Sequence, residues 1–316
     1  MSPHNPHRIN GSAVAIGEFT SGSEQWHAAR ANGLGGSEVS ALLGLNPWES
    51  RWTLWYRKKD RLAPIRENLY MTMGSLFEPV IFEHYRDSLV PAGHTITTGV
   101  TYRHHQREWM IANPDGLIWD SEGNLVDGLE IKCAARDDKW GEPGTDQIPI
   151  YYRCQVAWYC AVMGLKGMWV RVVFGVGDWR TYRVEPTAEE IDLLINAGAE
   201  FMDTLARDVE PDLDDHTATY VALKSLHPLI DGSSIQVSAE LADRWWEAQA
   251  AAEAAEAEVQ RLRTQLLARM GLAWRAMCGD QKVAYRQRPR GGGPPFVKSA
   301  KRPEFCSITT ALRGIQ

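Results

Sequence analysis

An α/β fold with a mixed sheet flanked by helices is what three features of the sequence predict. Helix-type apolar spacing dominates residues 23 to 90, and short β-branched or aromatic runs broken by turn residues fill 96 to 135. Helix, strand, strand and helix signals then follow one another from 149 to about 207. With 44 % hydrophobic and 23 % charged residues, the 316-residue chain is neither disordered, collagenous nor a disulfide knot, and it is long enough for one large core or two.

The elements follow in order. Residues 1 to 22, rich in His, Pro, Gly and Ser, read as a flexible N-terminal arm. A short helix is expected from Ser23 to Asn32, a tight turn at Gly33-Leu34-Gly35-Gly36, and a second helix over Glu38–Leu43 with Ser37 as N-cap and Gly44 as stop. Two more helices are expected over 53–60 and 73–90, the latter with Leu76, Val80, Phe82 and Tyr85 on its apolar face. Strands at 98–103, 109–112, 117–119 and 128–133 read as an antiparallel meander turned by Asn113-Pro114-Asp115-Gly116 and Ser121-Glu122-Gly123-Asn124. A helix at 149–163 stopped by Gly164, strands at 168–174 and 179–185, and a Thr187-x-x-Glu190 capping box opening a helix to Arg207 complete a core over 23–235.

Residues 236–316 form a separate region. Leu241, Trp245, Ala248, Ala252, Ala255, Val259, Leu262 and Leu266 make a heptad seam, read as packing within the chain rather than as a dimer coiled coil. The segment 282–302 carries seven Lys or Arg and no acid, and reads as a DNA-backbone contact or a tail. The longest apolar stretch, Cys154–Leu165, is too short to cross a hydrocarbon core of roughly 30 Å. With no secretory signal and five cysteines lacking a Cys-x-x-Cys pair, the expectation is a cytoplasmic protein with reduced thiols and no membrane partner.

The chemistry centres on Asp115 and Glu130-Ile131-Lys132. Strand alternation puts Glu130 and Lys132 on one face, with Ile131 turned into the core, and hairpin pairing brings Asp115 beside them. Two carboxylates about 4 Å apart repel by roughly 4 kcal/mol at an effective dielectric near 20, so they share a proton or hold a cation. All-oxygen ligation by Asp115, Glu130 and the Ile131 carbonyl suits Mg²⁺, with Mn²⁺ as substitute. An ammonium two residues from a metal-bound carboxylate fits phosphodiester hydrolysis, with Lys132 orienting or deprotonating a water. The bland alternative for the triplet alone is a solvated Glu/Lys strand face.

Asn113-Pro114-Asp115-Gly116 with Leu129-Glu130-Ile131-Lys132 resembles the signature of the PD-(D/E)XK nuclease superfamily. The flanks Trp26-x-x-x-Arg30, Gly35-Gly36-Ser37-Glu38, Met73-Gly74-x-x-Phe77-Glu78 and Gln155-x-x-Trp158-Tyr159 resemble its YqaJ-type viral recombinases, which include the phage lambda exonuclease and RecE-type nucleases. The resemblance covers roughly residues 24 to 175. It implies a restriction-endonuclease-like core and a Mg²⁺-dependent exonuclease that degrades linear double-stranded DNA from 5′ ends, leaving 3′ overhangs for a single-strand annealing or recombinase protein. Glu78, Asp115 and Glu130 become metal ligands, Lys132 the catalytic lysine, and Gln155 the holder of a water or phosphate oxygen. Arg30 and Ser37 become the pocket for a terminal 5′-phosphate, although Ser37 also reads as a plain N-cap. The family's ring-shaped oligomers are a further implication.

Two alternatives stay open: a restriction- or repair-type endonuclease using the same metal site, and a non-catalytic DNA-binding module built on the basic segment and heptad helix. Trp48, Trp52 and Trp55 near the front helices are candidates for stacking on unpaired bases. His104-His105 reads as solvated rather than metal-bound, and Cys133, Cys154 and Cys160 as core thiols rather than iron–sulfur ligands. The net charge of −6 argues against nucleic acid only until it is divided. Residues 185–216 hold eleven acids and one arginine, so the remaining 284 residues sum to +4.

Overall fold

The computed structural model of the chain describes residues 8–10, 12–19, 23–65, 67–137, 139–175 and 177–300. They fall into two compact units, one ending at Pro228 and the other beginning at Leu229. The first opens with β1 (Arg8–Ile9), β2 (Ala13–Gly17), α1 (Glu24–Ala31), β3 (Leu34–Gly35), the single turn α2 (Val39–Leu42), α3 (Arg51–Lys58) and α4 (Leu69–Ser88). It continues through β4 (Thr95–Thr98), β5 (Thr101–His104), β6 (Met110–Ala112), β7 (Gly116–Trp119), β8 (Leu125–Ala134), α5 (Ile150–Met163), β9 (Met168–Phe174), β10 (Asp178–Val184), α6 (Ala188–Arg207) and α7 (Thr217–Leu226).

The expected mixed α/β architecture is present as two five-stranded sheets. Their strand orders are β1-β2-β5-β6-β3 and β10-β9-β8-β7-β4, antiparallel except for β3/β6 and β8/β9. The segment read as a flexible arm contains β1 and β2. Ala13 is fully buried, because β2 pairs with β5 far along the chain, a partner that no local pattern announces.

The expected meander is divided between the sheets. The chain leaves β4 for β5 at Gly99–Val100 and returns from β6 to β7 through Asn113–Asp115, so the two crossings lie side by side. Gly99 N–H donates to the Asp115 carbonyl at 3.2 Å, and a Cβ on Gly99 would stand 1.7 Å from the Pro114 carbonyl oxygen. Gly99→Ala is therefore expected to cost about 1–3 kcal/mol as backbone is forced apart. Thermal unfolding reads this, and an unchanged midpoint would contradict the tight crossing.

Two apolar clusters organise this unit. The larger gathers around α5, whose Trp158 is fully buried and donates from Nε1 to the Ile111 carbonyl at 3.1 Å. Gly164, left-handed at φ 68°, ends α5 as expected, and Thr187 and Glu190 form the expected capping box on α6. The second cluster joins α4 to β8. Asn68 caps α4 by accepting the Tyr70 and Met71 N–H groups, so the helix starts earlier than expected. Its inward face is Ile81, Phe82 and Tyr85, whereas Leu76 and Val80, expected to be inside, are 65 % and 59 % exposed.

The second unit contains α8 (Ala239–Met270), β11 (Arg275–Cys278), β12 (Gln281–Gln287) and β13 (Phe296–Ser299), with the strands in a three-stranded antiparallel sheet. The basic segment is thus largely strand, not tail; Lys301 and Arg302 lie outside the described residues. Within this unit the heptad seam is covered at one end. Only its C-terminal end joins a core, Leu266 and Met270 with Ala284 and Val297, while Leu241, Trp245 and Val259 remain about half exposed or more. Among the described residues no helix is long and apolar enough to cross a membrane.

Candidate active site

Strand β8 outruns its antiparallel neighbour. β7 accompanies it only as far as Gly116 opposite Leu129, while β9 pairs with it through Ala134. From Glu130 onward one edge of β8 has no strand partner among the described residues, and Asp115 stands there instead, its Oδ2 accepting the Ile131 N–H at 2.6 Å. Within a strand the N–H and C=O of one residue share a side, so the Ile131 carbonyl faces the same edge.

Alternation along β8 separates its side chains as the sequence predicts. Leu129 and Ile131 join the cluster under α4, and Glu130 and Lys132 take the other face, toward α5. Glu130, only 3 % exposed, accepts Lys132 Nζ and Gln155 Nε2 on Oε1, each at 2.6 Å. Its Oε2 is buried without a hydrogen-bond partner. Gln155 Nε2 also donates to Tyr159 Oη at 3.1 Å, and Lys132 Nζ lies 4.9 Å from the Tyr152 ring centroid. Tyr152, Gln155 and Tyr159 recur at helical spacing, so one face of α5 supplies all three. Glu78 occupies the leading position of the α4 face that continues through Ile81, Phe82 and Tyr85, which carries its carboxyl into the field of Lys132.

The electrostatics are those of crowded acids. Burial raises the Asp115 carboxyl well above its ordinary range, and the charges of Glu130 and Glu78 raise it further against the pull of Lys132 and the Ile131 N–H. Burial likewise raises Glu130 and Glu78, each opposed by Lys132. Burial alone would lower Lys132, but Glu130, Tyr152 and Asp115 outweigh it and hold the ammonium above its usual value. Among the described residues no three His, Cys, Asp or Glu side chains are already gathered about one point as ion ligands. The donor set nevertheless suits a hard divalent cation: an orphaned buried carboxylate oxygen, a second carboxylate on the same strand edge, a backbone carbonyl beside it and one ammonium against three acids.

A second cluster surrounds the glycine turn. Arg30 is 6 % exposed, donates from Nη2 to Ser37 Oγ at 3.3 Å and pairs with Glu38 at 3.3 Å. Glu38 Oε2 accepts the Gly35 N–H at 2.7 Å, and Lys58 Nζ donates to the Gly33 carbonyl at 2.7 Å, the Arg30 carbonyl at 3.2 Å and Glu38 at 3.1 Å. Ser37 is not the N-cap: Glu38 stands there, without a capping side chain, and α2 has only four residues, too few for a strong helix dipole. Gly36 joins this cluster to the acidic one, because a Cβ there would lie 2.5 Å from the Tyr159 ring and 3.2 Å from Gln155 Cγ. The structure thus brings six of the seven candidate side chains to two adjoining clusters along α5, while Glu78, an exposed residue on α4, is linked to them only through charge. Lys58 and Tyr152 went unrecognised in the sequence: one lies in the basic run Arg57-Lys58-Lys59, and the other is an ordinary aromatic at a helix start.

Trp52 and Trp55 are 1 % and 0 % exposed, so they are core and stack on no base; Trp48 is 63 % exposed. His104 is not solvated, since it is buried with Nδ1 accepting the Gln106 and Arg107 N–H groups. Cys133, Cys154 and Cys160 are free thiols, and burial raises Cys160 to about 12.

Residues 25–166, which include every candidate side chain named above, match the YqaJ-like viral recombinase domain. That match spans 142 of the 316 residues. In Bacillus subtilis strain 168 the uncharacterized protein YqaJ is 27 % identical over 207 residues, 64 % of this chain and 62 % of its own length. Protein D345L of African swine fever virus, strain Badajoz 1971 Vero-adapted, is 27 % identical over 133 residues, 40 % of this chain and 36 % of its own. The chain therefore spans less than two thirds of either relative. Among solved structures, an alkaline exonuclease from Laribacter hongkongensis covers 66 % of this chain and 100 % of its own, at 19 % identity and a TM-score of 0.46. A phage-related exonuclease from Haemophilus somnus 129PT covers 56 % and 96 %, at 11 % identity and a TM-score of 0.40.

Proposed function

We propose that the YqaJ-like domain is a Mg²⁺-dependent nuclease, Mn²⁺ substituting, that hydrolyses linear double-stranded DNA from 5′ ends and leaves 3′ single strands for an annealing or recombinase protein. The observation that carries this reading is Glu130: buried, bonded to Lys132 through one carboxylate oxygen and presenting the other without a partner, on the strand edge where Asp115 waits. Glu130, Asp115, the Ile131 carbonyl and Glu78 would hold the cation. When bound, it would acidify a coordinated water and offset charge on a phosphorane-like transition state.

The chain's own groups divide the remaining work. Lys132, kept protonated by Glu130, donates hydrogen bonds, so its part is to orient the attacking water and neutralise a phosphate oxygen. Gln155 fixes the Glu130 rotamer through Oε1 and shares its amide with Tyr159. Arg30 and Ser37 supply a guanidinium and a hydroxyl for a terminal phosphate, with Glu38 beneath them limiting the net positive charge. The 23–235 core is proposed as the catalytic body, a ring-shaped oligomer as the processive form, and the cytoplasm as its compartment.

Digestion of a duplex labelled at each end, with Mg²⁺ and Asp115→Ala as control, tests catalysis and polarity together. Loss of label from 5′ ends first is expected; cutting of a covalently closed plasmid would move the reading to an endonuclease. Arg30→Ala is expected to slow digestion of 5′-phosphorylated ends by about tenfold or more while sparing 5′-hydroxyl ends. Equal loss on both would remove the pocket from the reading.

A further inference from the structure

We propose that Trp48, braced by Tyr151, is a stacking platform for an unpaired nucleobase of the strand being hydrolysed, beside the phosphate that Lys132 addresses. The proposal rests on the nuclease reading and adds a binding subsite to it. Trp48 is 63 % exposed although its loop is firmly held: Asn46 Oδ1 accepts the Trp48 N–H at 2.9 Å and the Glu49 N–H at 3.1 Å, and the Asn46 carbonyl accepts His216 Nε2 at 2.8 Å. A large indole fixed in the open by its own backbone is a surface kept for a ligand.

The aromatic contacts lead from this ring to the acidic cluster. Trp48 meets Tyr151 edge to face at 4.8 Å between centroids, Tyr151 meets Tyr152 at 4.4 Å, and the Tyr152 ring carries the Lys132 ammonium at 4.9 Å. Lys139 Nζ stands 5.5 Å over the Tyr151 ring, adding a cation where a sugar–phosphate backbone would pass. The other end of the loop reaches the glycine turn, because Asn46 Nδ2 donates to the Ser37 carbonyl at 3.5 Å. The Trp48 loop is thus linked to the acidic cluster through Tyr151 and Tyr152 and to the glycine turn through Asn46. Tyr151 braces the indole in a T-shaped contact, and the 63 % exposure of Trp48 leaves aromatic surface open to a base. A base inside a duplex offers no free face, whereas an unpaired one does, and every base has one, so such a platform binds without sequence preference.

The test is fluorescence anisotropy in EDTA, with a fluorescein-labelled duplex whose last three 5′ nucleotides are unpaired, and the same DNA with abasic residues at those three positions. Wild type should bind the abasic DNA roughly five- to hundred-fold more weakly than the normal DNA. Trp48→Ala should lose a similar factor on normal DNA and little more on abasic DNA, and Trp48→Phe should keep most of the wild-type preference. Trp48→Ala binding both DNAs as tightly as wild type, or losing equally on both, overturns the platform. Because Trp48 is mostly exposed, thermal unfolding of the variants should match wild type. Adding Mg²⁺ to wild type on the normal DNA separates the two ideas: no hydrolysis with the binding pattern intact refutes the nuclease reading alone.

Discussion

Lys132→Ala is expected to lower metal-dependent DNA hydrolysis by about 10³-fold, with DNA binding in EDTA nearly unchanged. The size follows from removing a preorganised charged donor from a site whose other groups are acids, where single donors of this kind contribute roughly 10²- to 10³-fold and proton-transfer groups up to about 10⁴-fold. Lys132→Arg should restore little, because the planar guanidinium cannot replace a compact ammonium held 2.6 Å from Glu130 and against the Tyr152 ring. Folding should survive. Glu130 keeps Gln155 as a partner, and its carboxyl, already raised by burial, can take up a proton when the ammonium leaves. Single-turnover rates on a 5′-phosphorylated duplex, with circular dichroism as control, decide the matter; a rate within tenfold of wild type would sink the assignment of Lys132.

The largest stability effect is expected at Lys58. Its ammonium is buried and bonded to two carbonyls and the Glu38 carboxylate, so Lys58→Met leaves Glu38 and the carbonyls of Arg30 and Gly33 short of their donor and should cost about 3–5 kcal/mol. The two partners titrate unequally. Burial raises Glu38, but Lys58, Arg30 and the Gly35 N–H together bring it from 4.5 down to about 2. Burial lowers Lys58, and Glu38, shared with Arg30, only partly offsets this. Because the folded-state value of Glu38 lies below its unfolded value, its contribution, about 3 kcal/mol, is complete above pH 4.5 and is lost as pH falls toward 2. Denaturant titrations should show this acid limb in wild type. In Glu38→Gln it should flatten, and in Lys58→Met it should begin at higher pH; identical limbs in all three would show that the cluster carries no such linkage.

Much of the site was legible because its signals are local. Period-two alternation places Glu130 and Lys132 together, the Asn-Pro-Asp-Gly turn brings Asp115 to the next strand, and Gly164 and the Thr187/Glu190 capping box fix helix ends within a residue or two. The features that escaped depend on partners distant in sequence. β2 is a strand only because β5 lies beside it, and Gly99 breaks a strand only because Pro114 crosses there. Lys58 looks like any lysine in a basic run until the fold closes it over the glycine turn. Ser37 illustrates the converse error: an N-cap pattern came before a helix of four residues, and its hydroxyl went to Arg30. On α4 the inward face is set by where β8 lies, so Ile81 is inside and Val80 outside.

The unaccompanied edge of β8 has a colloidal consequence as well as a chemical one. A strand whose N–H and C=O groups face outward invites another chain to pair with it. Asp115 blocks that invitation at Ile131 by occupying the N–H with a side chain that cannot propagate a ladder. The acid proposed as a cation ligand thus also guards the molecule against edge-to-edge association. An inactive form made as Asp115→Asn retains an acceptor for that N–H, whereas Asp115→Ala bares it, so the two differ in their tendency to self-associate at high concentration.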